Sequence, residues 1–334
     1  MPLAKAKEVF TPTRQNDVIS KPVINFITVI NPPSILQLHF LHPRYLPTWL
    51  GIGVMWTVTH MPHKVRIAAG SFIGSLGYYF AVRRKHIVDV NLRLCFPEMQ
   101  EEERRQLIRK NFRSTGISLI ETALVWLRNP AQFRPMVTIY GLENLTSARD
   151  EGRGVILLGM HLSTLDFCGA ILASYIGFDV MYRKNKNKLL DAIMTRGRAR
   201  NYPRAIQRDD VRAVVKSLKQ GKIVWYGPDQ DYGRKHSIFA PFFDVEAASI
   251  TATSRIARMT GSPVVIFTHY RKADDSGYEI FLSKPLDNYP GEDERENATR
   301  INRIVEEAII RSPEQYWWLH RRFKTRPPGQ PRPY

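Results

Sequence analysis

Residues 154–168, GVILLGMHLSTLDFC, are the segment around which the rest of the chain is organised. Residues 155–158 form an apolar run that is too short for a typical helix and is bounded by glycines, which predicts a buried parallel strand. Residues 167–176 follow as a predicted buried helix. Because open parallel sheets place their sites at the carboxyl ends of strands, His161 and Asp166 are predicted to be a catalytic pair. The spacing alone also fits a loop histidine beside a helix-capping aspartate.

The composition predicts a globular protein with a polyanionic partner. The chain has 334 residues, of which 43% are hydrophobic, so it can bury a sizeable core. Lysine and arginine outnumber aspartate and glutamate by 49 to 31, giving a net charge of +18. This balance favours nucleic acid, an anionic membrane surface or an acidic protein as partner. The two cysteines imply no disulfide framework and a reducing compartment, and Cys168 is interpreted as core filling rather than as a nucleophile.

The amino-terminal part of the chain is predicted to anchor it to a membrane. Residues 1–40 form a predicted irregular arm without the pattern of a signal peptide. Within residues 41–86, the stretch 45–62 carries no Asp, Glu, Lys or Arg, and Gly70 and Gly74 have a spacing that allows close helix packing in lipid. We therefore expect an N-terminal hydrophobic membrane-anchor helix or a dipping hairpin. The alternative is a buried helical hairpin of a soluble protein.

Residues 87–334 are predicted to form an α/β catalytic domain. A long helix is predicted at 101–127, followed by alternating strands and helices. The predicted strands are 137–140, 155–159, 178–182, 223–226, 263–270 and 278–283, and the predicted helices are 167–176, 188–200, 210–220, 249–260 and 292–311. Alternation of this kind favours an α/β fold with a mostly parallel sheet flanked by helices.

Acidic side chains in the loop after strand 223–226 are predicted to bind substrate. The loop, GPDQDYG, should lie at the same edge of the sheet as His161. Asp229 and Asp231 can orient an arginine or bind a sugar hydroxyl, although the same residues also suit an ordinary turn. No metal site is predicted, because neither a Cys/His cluster nor calcium-loop spacing accompanies the two carboxylates.

Basic residues supply the second set of predicted substrate ligands. Arg183 follows a strand and Arg198 ends a predicted helix, and either can bind phosphate or carboxylate. The simpler interpretation of Arg198 is a favourable interaction with the helix dipole. The closing stretch 315–327, QYWWLHRRFKTRP, mixes aromatic and basic residues, which suits a lipid headgroup interface or single-stranded nucleic acid. His320 within it is expected to be satisfied or exposed rather than catalytic.

Several blocks of sequence together resemble the lipid A late (secondary) acyltransferases, the Kdo2-lipid A lauroyl/myristoyl/palmitoleoyl transferase family. The resemblance runs from about residue 41 to the carboxyl end and includes the His-x4-acid box formed by His161 and Asp166. The further blocks are HPRYLPTWLGIGV at 42–54, NLRLCFPEM at 91–99, GRAR at 197–200, VWYGPDQDYGRKHSIFAPFF at 224–243 and PEQYWWLHRRFKTRP at 313–327. Close family members often have glutamate where this chain has Asp166. The remaining blocks look most like the lauroyl and palmitoleoyl branch.

The resemblance implies an acyl-carrier-protein-dependent O-acyltransferase that adds a secondary chain to a 3-hydroxyacyl group of Kdo2-lipid IVA. It implies a glycerolipid-acyltransferase-like fold, the cytoplasmic face of the bacterial inner membrane, and family activity positions at His161, Asp166, Arg198 and Asp229. The implied partners are acyl carrier protein, the anionic lipid A precursor and inner membrane lipids, with no nucleic acid, no cofactor and no metal. The charge of +18 then suits both an anionic acceptor and an acidic carrier protein.

In the expected mechanism His161 is the base and Asp166 orients its imidazole. Backbone amides near the start of helix 167–176 are the expected oxyanion donors. Arg183 and Arg198 are expected to hold phosphate or carboxylate groups of the lipid. The competing interpretations are a glycerolipid acyltransferase with the same His/Asp box, a basic nucleic-acid-binding protein, and a catalytically inactive membrane scaffold.

Overall fold

The computed structural model describes residues 34–35 and 37–334. The predicted irregular arm at 1–40 therefore lies almost entirely outside the described residues. Two short 3-10 helices, Leu38–Leu41 and Pro43–Tyr45, lead into the first α-helix. A helical amino-terminal part then precedes a unit built on one mixed sheet.

Four α-helices form the amino-terminal part: α1 (Leu46–Thr59), α2 (His63–Phe80), α3 (Val82–Cys95) and α4 (Glu101–Leu127). The start of α4 is marked by three glutamates in its first turn, where negative charge interacts favourably with the helix dipole. Its bounds match the prediction from sequence. The predicted boundary between residues 86 and 87 falls inside α3.

The predicted long membrane-anchor helix is not present among the described residues. The 14 residues of α1 span about 21 Å at 1.5 Å per residue, whereas a bilayer core is about 30 Å thick. In the described part of the chain no single helix combines the length and apolar character needed to cross a membrane. The pair α2 and α3 meets the requirement together, but the two helices meet at 90°.

The small residues predicted to allow close helix packing lie where α2 packs against α4. A Cβ atom at Gly70 would lie 2.5 Å from the Cα of Ile117, and one at Gly74 would lie 2.3 Å from the carbonyl oxygen of Phe112. On the facing helix, a Cβ at Gly116 would lie 2.2 Å from the carbonyl oxygen of Gly70. The two backbones are therefore in direct contact, which only glycine permits.

The sheet-based unit alternates strands and helices. In chain order its elements are β1 (Val137–Tyr140), α5 (Leu142–Asp150), β2 (Val155–Gly159), α6 (Leu165–Ala173), β3 (Val180–Tyr182), α7 (Lys188–Asn201), β4 (Ala205–Gln207), α8 (Val211–Lys219), β5 (Ile223–Tyr226), β6 (Ser237–Phe242), β7 (Val245–Ile250), α9 (Ala252–Thr260), β8 (Val264–Arg271), β9 (Tyr278–Pro285) and α10 (Glu294–Arg311). Three 3-10 helices, Pro130–Met136, Arg234–His236 and Pro313–Gln315, connect them.

The main sheet has the strand order β1-β9-β8-β2-β5. Every neighbouring pair in it is parallel except β8 and β9. This confirms the predicted α/β class with a mixed, mostly parallel sheet flanked by helices. Strands β3 and β4 pair in parallel, and β6 and β7 form an antiparallel hairpin.

Strand β2 lies at the centre of the core, between β8 and β5, and all five of its residues are buried. Val155 and Leu157 belong to one apolar cluster with Phe167 and other residues of α6. Ile156 and Leu158 belong to the opposite cluster, which includes residues of α8, α9 and α10. Burial on both faces explains why the strand is a continuous apolar run rather than an alternating one.

Within the sheet-based unit the sequence analysis missed four elements, namely α5, β4, β6 and β7. The hairpin of β6 and β7 is closed by Phe243 and Asp244, which have positive φ angles of 50° and 60°. Such turns normally carry glycine or asparagine, so this turn had no recognisable signal. Residues 249–250, predicted as the start of a helix, form the end of β7.

Candidate active site

The centre of the site is a histidine–aspartate pair at the carboxyl ends of two neighbouring strands. His161 follows β2 and Asp229 follows β5, and these strands are parallel partners in the sheet. The imidazole Nδ1 of His161 lies 2.7 Å from Oδ1 of Asp229. The backbone N–H of His161 donates to Oδ2 of the same carboxylate at 2.9 Å. One carboxylate therefore fixes both the ring and the backbone of the histidine.

Each of the two groups favours the charged form of the other. Burial by itself lowers the pKa of His161, but the charge and hydrogen bond of Asp229, with the more distant charge of Asp166, raise it above the ordinary 6.5. Burial raises the pKa of Asp229, yet the charge of His161 and the hydrogen bonds from it lower that pKa to about 2. Asp229 is thus ionised near neutral pH and makes His161 a stronger base.

His161 opens onto a cavity of about 370 Å³ beyond the end of the sheet. Its side chain is 26% exposed, whereas that of Asp229 is 1% exposed. The imidazole of His161 packs edge-on against the ring of Trp225. A Cβ atom at Gly227 would lie 2.9 Å from Cε1 of His161. Because Nδ1 is engaged by Asp229, Nε2 is the ring nitrogen left to meet a substrate. The lining comprises His161, Met181, Tyr182, Arg183, Arg208, Asp209, Val211, Trp225, Tyr226, Gly227, Gln230, Tyr232, His236, Ile250 and Ala252.

Asp166 lies near His161 but does not hold its ring. Oδ2 of Asp166 accepts a hydrogen bond from Oγ1 of Thr122 on α4 at 3.1 Å. The expectation that Asp166 orients the imidazole is therefore wrong, since Asp229 makes that contact. The charge of Asp166 nevertheless contributes to the raised pKa of His161. A catalytic role for Asp166 stays a prediction.

The two predicted basic ligands occupy different positions. Arg183 is exposed and lines the cavity together with His161. Arg198 lies on α7 with its guanidinium carbon 5.9 Å from the ring centre of Tyr182, a residue of the cavity wall. Its Nη1 is buried and has no hydrogen-bond partner among the described residues. Arg208 and His236, which the sequence analysis did not single out, also line the cavity.

Asp231 holds the end of the chain rather than facing the cavity. Its Oδ1 accepts hydrogen bonds from the backbone N–H of Gly233 and from the hydroxyl of Thr325, and its Oδ2 accepts one from the backbone N–H of Thr325. The side chain has no solvent exposure. The carboxylate is therefore enclosed by backbone and hydroxyl donors, and the substrate-binding role expected of Asp231 stays a prediction.

The aromatic and basic block at 313–327 contributes several side chains to the core. Tyr316, Trp318 and Arg322 are buried. The backbone N–H of Trp317 donates to the carbonyl of His161 at 2.9 Å, so the block supports the loop that carries the histidine. His320 is satisfied as expected, since its Nε2 accepts the backbone N–H of Asp231, and burial lowers its pKa to about 4.

A buried ion pair beneath the site was missed from the sequence. Arg271 on β8 donates to both carboxylate oxygens of Glu121 on α4, at 2.7 and 2.8 Å, and the hydroxyl of Tyr278 donates to the same carboxylate. Arg271 also reaches the hydroxyl of Ser114, which lies 2.8 Å from that of Ser163 in the histidine loop. The available signal was an isolated glutamate within the apolar pattern of α4.

Two further titratable side chains near the site, His269 and Cys168, are buried in the protein. His269 contacts the hydroxyl of Thr164 through Nδ1 at 2.7 Å, and burial lowers its pKa to about 3. Cys168 is fully buried, and burial raises the pKa of its thiol, which supports its interpretation as core filling. Among the described residues, no group of three or more His, Cys, Asp or Glu side chains is arranged to hold a metal ion.

Comparison with known proteins shows which family of enzymes this chain resembles. The family model for bacterial lipid A biosynthesis acyltransferases matches residues 35–325. The chain is 42% identical over 292 residues to the lipid A biosynthesis palmitoleoyltransferase of Escherichia coli K12, covering 87% of this chain and 95% of that protein. It is 42% identical over 295 residues to the lipid A biosynthesis lauroyltransferase of the same organism, covering 88% of this chain and 96% of that protein. Identity to the lipid A biosynthesis myristoyltransferase of E. coli K12 is 31% over 301 residues, covering 88% of this chain and 92% of that protein. A histidine held by a buried carboxylate beside an open cavity is compatible with acyl transfer. The chain belongs to the bacterial lipid A biosynthesis acyltransferases.

Proposed function

We propose that this acyltransferase moves a fatty acyl chain from acyl carrier protein to the hydroxyl of a 3-hydroxyacyl group on Kdo2-lipid IVA. The observation that carries the proposal is the His161–Asp229 pair, in which His161 lines an open cavity. An alcohol is a weak nucleophile at its own pKa, so a positioned base is required.

In the proposed reaction Nε2 of His161 removes the hydroxyl proton as the oxygen attacks the thioester carbonyl. The new C–O bond gives a tetrahedral intermediate, which collapses with cleavage of the C–S bond. His161 then returns the proton to the departing thiolate. Asp229 stabilises the imidazolium between the two steps and keeps the ring oriented through Nδ1. General acid–base catalysis of this kind contributes on the order of 10²–10⁴-fold.

Trp225 is our candidate for a donor to the developing oxyanion. Its indole N–H is buried and has no hydrogen-bond acceptor among the described residues, although the residue lies on the cavity wall beside His161. An unpaired buried donor is costly, so its retention favours a partner that arrives with the substrate. The cavity wall includes no residue from the start of α6, where the sequence analysis placed the oxyanion donors.

The basic residues around the cavity are proposed to bind the anionic groups of the acceptor lipid. Arg183 and Arg208 both line the cavity, and Arg198 lies behind Tyr182 with an unpartnered Nη1. A guanidinium matches phosphate or carboxylate oxygens in a two-point geometry. This gives Arg183 and Arg198 the substrate role expected from the sequence and extends it to Arg208.

Apolar side chains on α1 and α2 are proposed to rest on the cytoplasmic face of the inner membrane. Leu46, Leu50 and Val54 recur every fourth residue on α1 and are 50–70% exposed. On α2, Phe72 and Phe80 are 64% and 80% exposed. An exposed apolar surface of this kind suits an interfacial helix whose apolar face is buried in lipid. The reactive cavity would then receive its lipid acceptor from the membrane.

We further propose an acyl chain of the lauroyl or palmitoleoyl type. The support is that the relatives named for these two chains share 42% identity with this protein, against 31% for the one named for myristoyl transfer.

The test is an assay of the purified protein with Kdo2-lipid IVA and a panel of acyl-acyl carrier proteins, followed by mass spectrometry of the lipid. We expect one added acyl chain with the wild type and a loss of at least about 10²-fold with His161→Ala. His86→Ala changes an exposed histidine on α3 and serves as the matched control. Acylation of glycerol phosphate or lysophosphatidate in place of lipid A precursors would overturn the acceptor assignment, and undiminished product with His161→Ala would overturn the mechanism.

A further inference from the structure

A second concave surface lies next to the catalytic cavity, between α8 and α9. This groove has a volume of about 460 Å³. Its apolar part comprises Val211 and Val215 on α8 with Met259 on α9. Val211 is 41% exposed and Met259 is 55% exposed, so the apolar side chains are open to solvent. We refer to it as the α8–α9 groove.

Three cations surround the apolar part of the α8–α9 groove. Arg212, Lys216 and Lys219 lie on the exposed face of α8. Within the described residues none of the three forms an ion pair, although many other arginines of the chain do. The acidic residues at this end of α8 are Asp209, which is paired with Arg208, and Asp210, which caps the helix through the N–H of Ala213. The groove itself is therefore strongly positive.

The α8–α9 groove and the catalytic cavity share one wall residue. Val211, the first residue of α8, lines both. A macromolecule seated on the groove could therefore pass a thioester on a flexible arm into the cavity toward His161. Ile250 and Ala252, which precede and begin α9, line the cavity on the same side.

The α8–α9 groove, with its mixture of apolar and cationic side chains, differs from the apolar surface of α1 and α2 that is proposed to meet the membrane. On α1, exposed leucines and valine are accompanied by no Asp, Glu, Lys or Arg within the helix. On the groove, a small apolar patch is ringed by unpaired cations. Apolar contact ringed by charge of one sign favours a protein partner of the opposite charge, since such charges steer encounter and fix orientation.

We propose that the α8–α9 groove docks the acidic carrier protein that delivers the acyl thioester. The inference rests on the proposed function and adds where the donor binds. An acidic helix of the carrier lies along Arg212, Lys216 and Lys219, its apolar side chains contact Val215 and Met259, and its acyl arm enters the cavity past Val211.

The test compares donor kinetics of the wild type with those of a charge-reversed variant, Arg212→Glu combined with Lys216→Glu and Lys219→Glu. We expect KM for the acyl carrier protein to rise about tenfold or more with kcat within about twofold, because exposed charges act on encounter more than on chemistry. Added salt should raise the wild-type KM and affect the variant less. With a small acyl-pantetheine donor, which has no protein to dock, both proteins should have the same kinetics.

A control variant carries the same change of charge on another exposed helix, Arg295→Glu with Arg300→Glu and Arg303→Glu on α10. Thermal unfolding establishes that both variants are folded. An unchanged KM for the carrier protein in the α8 variant, or an equal loss with acyl-pantetheine, would overturn the docking site. So would reduced binding to anionic vesicles with unchanged carrier kinetics, since the groove would then bind lipid. If the wild type uses no acyl carrier protein at all, it is the proposed function that fails.

Discussion

The replacement Asp229→Asn tests the histidine–aspartate pair most directly. The pKa of Asp229 is lowered from 3.8 to about 2, which at about 1.4 kcal/mol per tenfold corresponds to roughly 2–3 kcal/mol of preference for the ionised carboxylate. Because Asp229 is 1% exposed, solvent screens little of this interaction. Loss of the charge weakens His161 as a base, because the charge and hydrogen bond of Asp229 are what raise the pKa of His161 against the effect of burial.

The amide also changes which ring nitrogen carries the proton. If its oxygen keeps the hydrogen bond from the backbone N–H of His161, its NH₂ group faces Nδ1 and makes that nitrogen an acceptor. The imidazole proton then resides on Nε2, which can no longer take the proton of the substrate hydroxyl. We therefore expect Asp229→Asn to lower kcat by about 10²–10⁴-fold, the range that general base catalysis supplies.

The assay is steady-state turnover across pH with the lipid product quantified by mass spectrometry. His161 must be neutral to act as a base, so wild-type kcat/KM should fall on acidification through its raised pKa. Removing the negative charge destabilises the imidazolium, so the acidic limb of Asp229→Asn should move to lower pH. Asp231→Asn, a buried aspartate two residues away, is the control and should lower stability while keeping kcat within about fivefold. A kcat for Asp229→Asn within about threefold of wild type would refute the reasoning.

Four further predictions concern the active site and the packing that supports it. Asp166→Asn should reduce kcat less than Asp229→Asn, because its carboxylate bonds Thr122 instead of the ring; an equal or larger loss in the same assay would contradict this. Trp225→Phe should lower kcat by about 10²-fold with little change in KM if its N–H meets the oxyanion, and single-turnover rates separate the two parameters. Glu121→Gln should cost about 3–5 kcal/mol in denaturant unfolding, because it leaves Arg271 charged and buried, and a cost under about 1 kcal/mol would argue against the buried pair. Gly116→Ala should lower stability by about 1–3 kcal/mol, since the new methyl group would lie 2.2 Å from the carbonyl oxygen of Gly70; an unchanged unfolding midpoint would show that α2 and α4 can separate freely.

Local sequence patterns identified the elements that carry the site. Strand β2 and strand β5 were predicted with their observed bounds, because each is a short apolar run closed by glycine. Their parallel pairing and the placement of His161 and Asp229 at one edge followed from the general rule for open α/β sheets. The same reasoning failed for the hairpin of β6 and β7, since its turn uses Phe243 and Asp244 instead of the residues typical of such turns.

Interpretation of composition was least reliable where apolar and charged residues mix. The closing block 313–327 resembles a headgroup-binding segment by composition, yet Trp318 and Arg322 are buried in the core. Arg322 is accommodated there by the carbonyl oxygen of Ala248 and the hydroxyl of Ser249. Nothing in the local sequence indicates these partners, because they lie more than 70 residues away along the chain.

The α/β class, the histidine loop, the second acidic loop and the family resemblance could all be predicted from the amino-acid sequence. Each of these depends on residues adjacent in the chain, where periodicity and motif spacing carry the information. Three contacts became known from the fold alone: Asp229, and not Asp166, holds His161, Asp231 binds Thr325, and Gly70 packs on α4. The physical reason is that a hydrogen bond or a close backbone approach depends on distances of a few tenths of an ångström between segments far apart in sequence. The packing of strands and helices sets those distances.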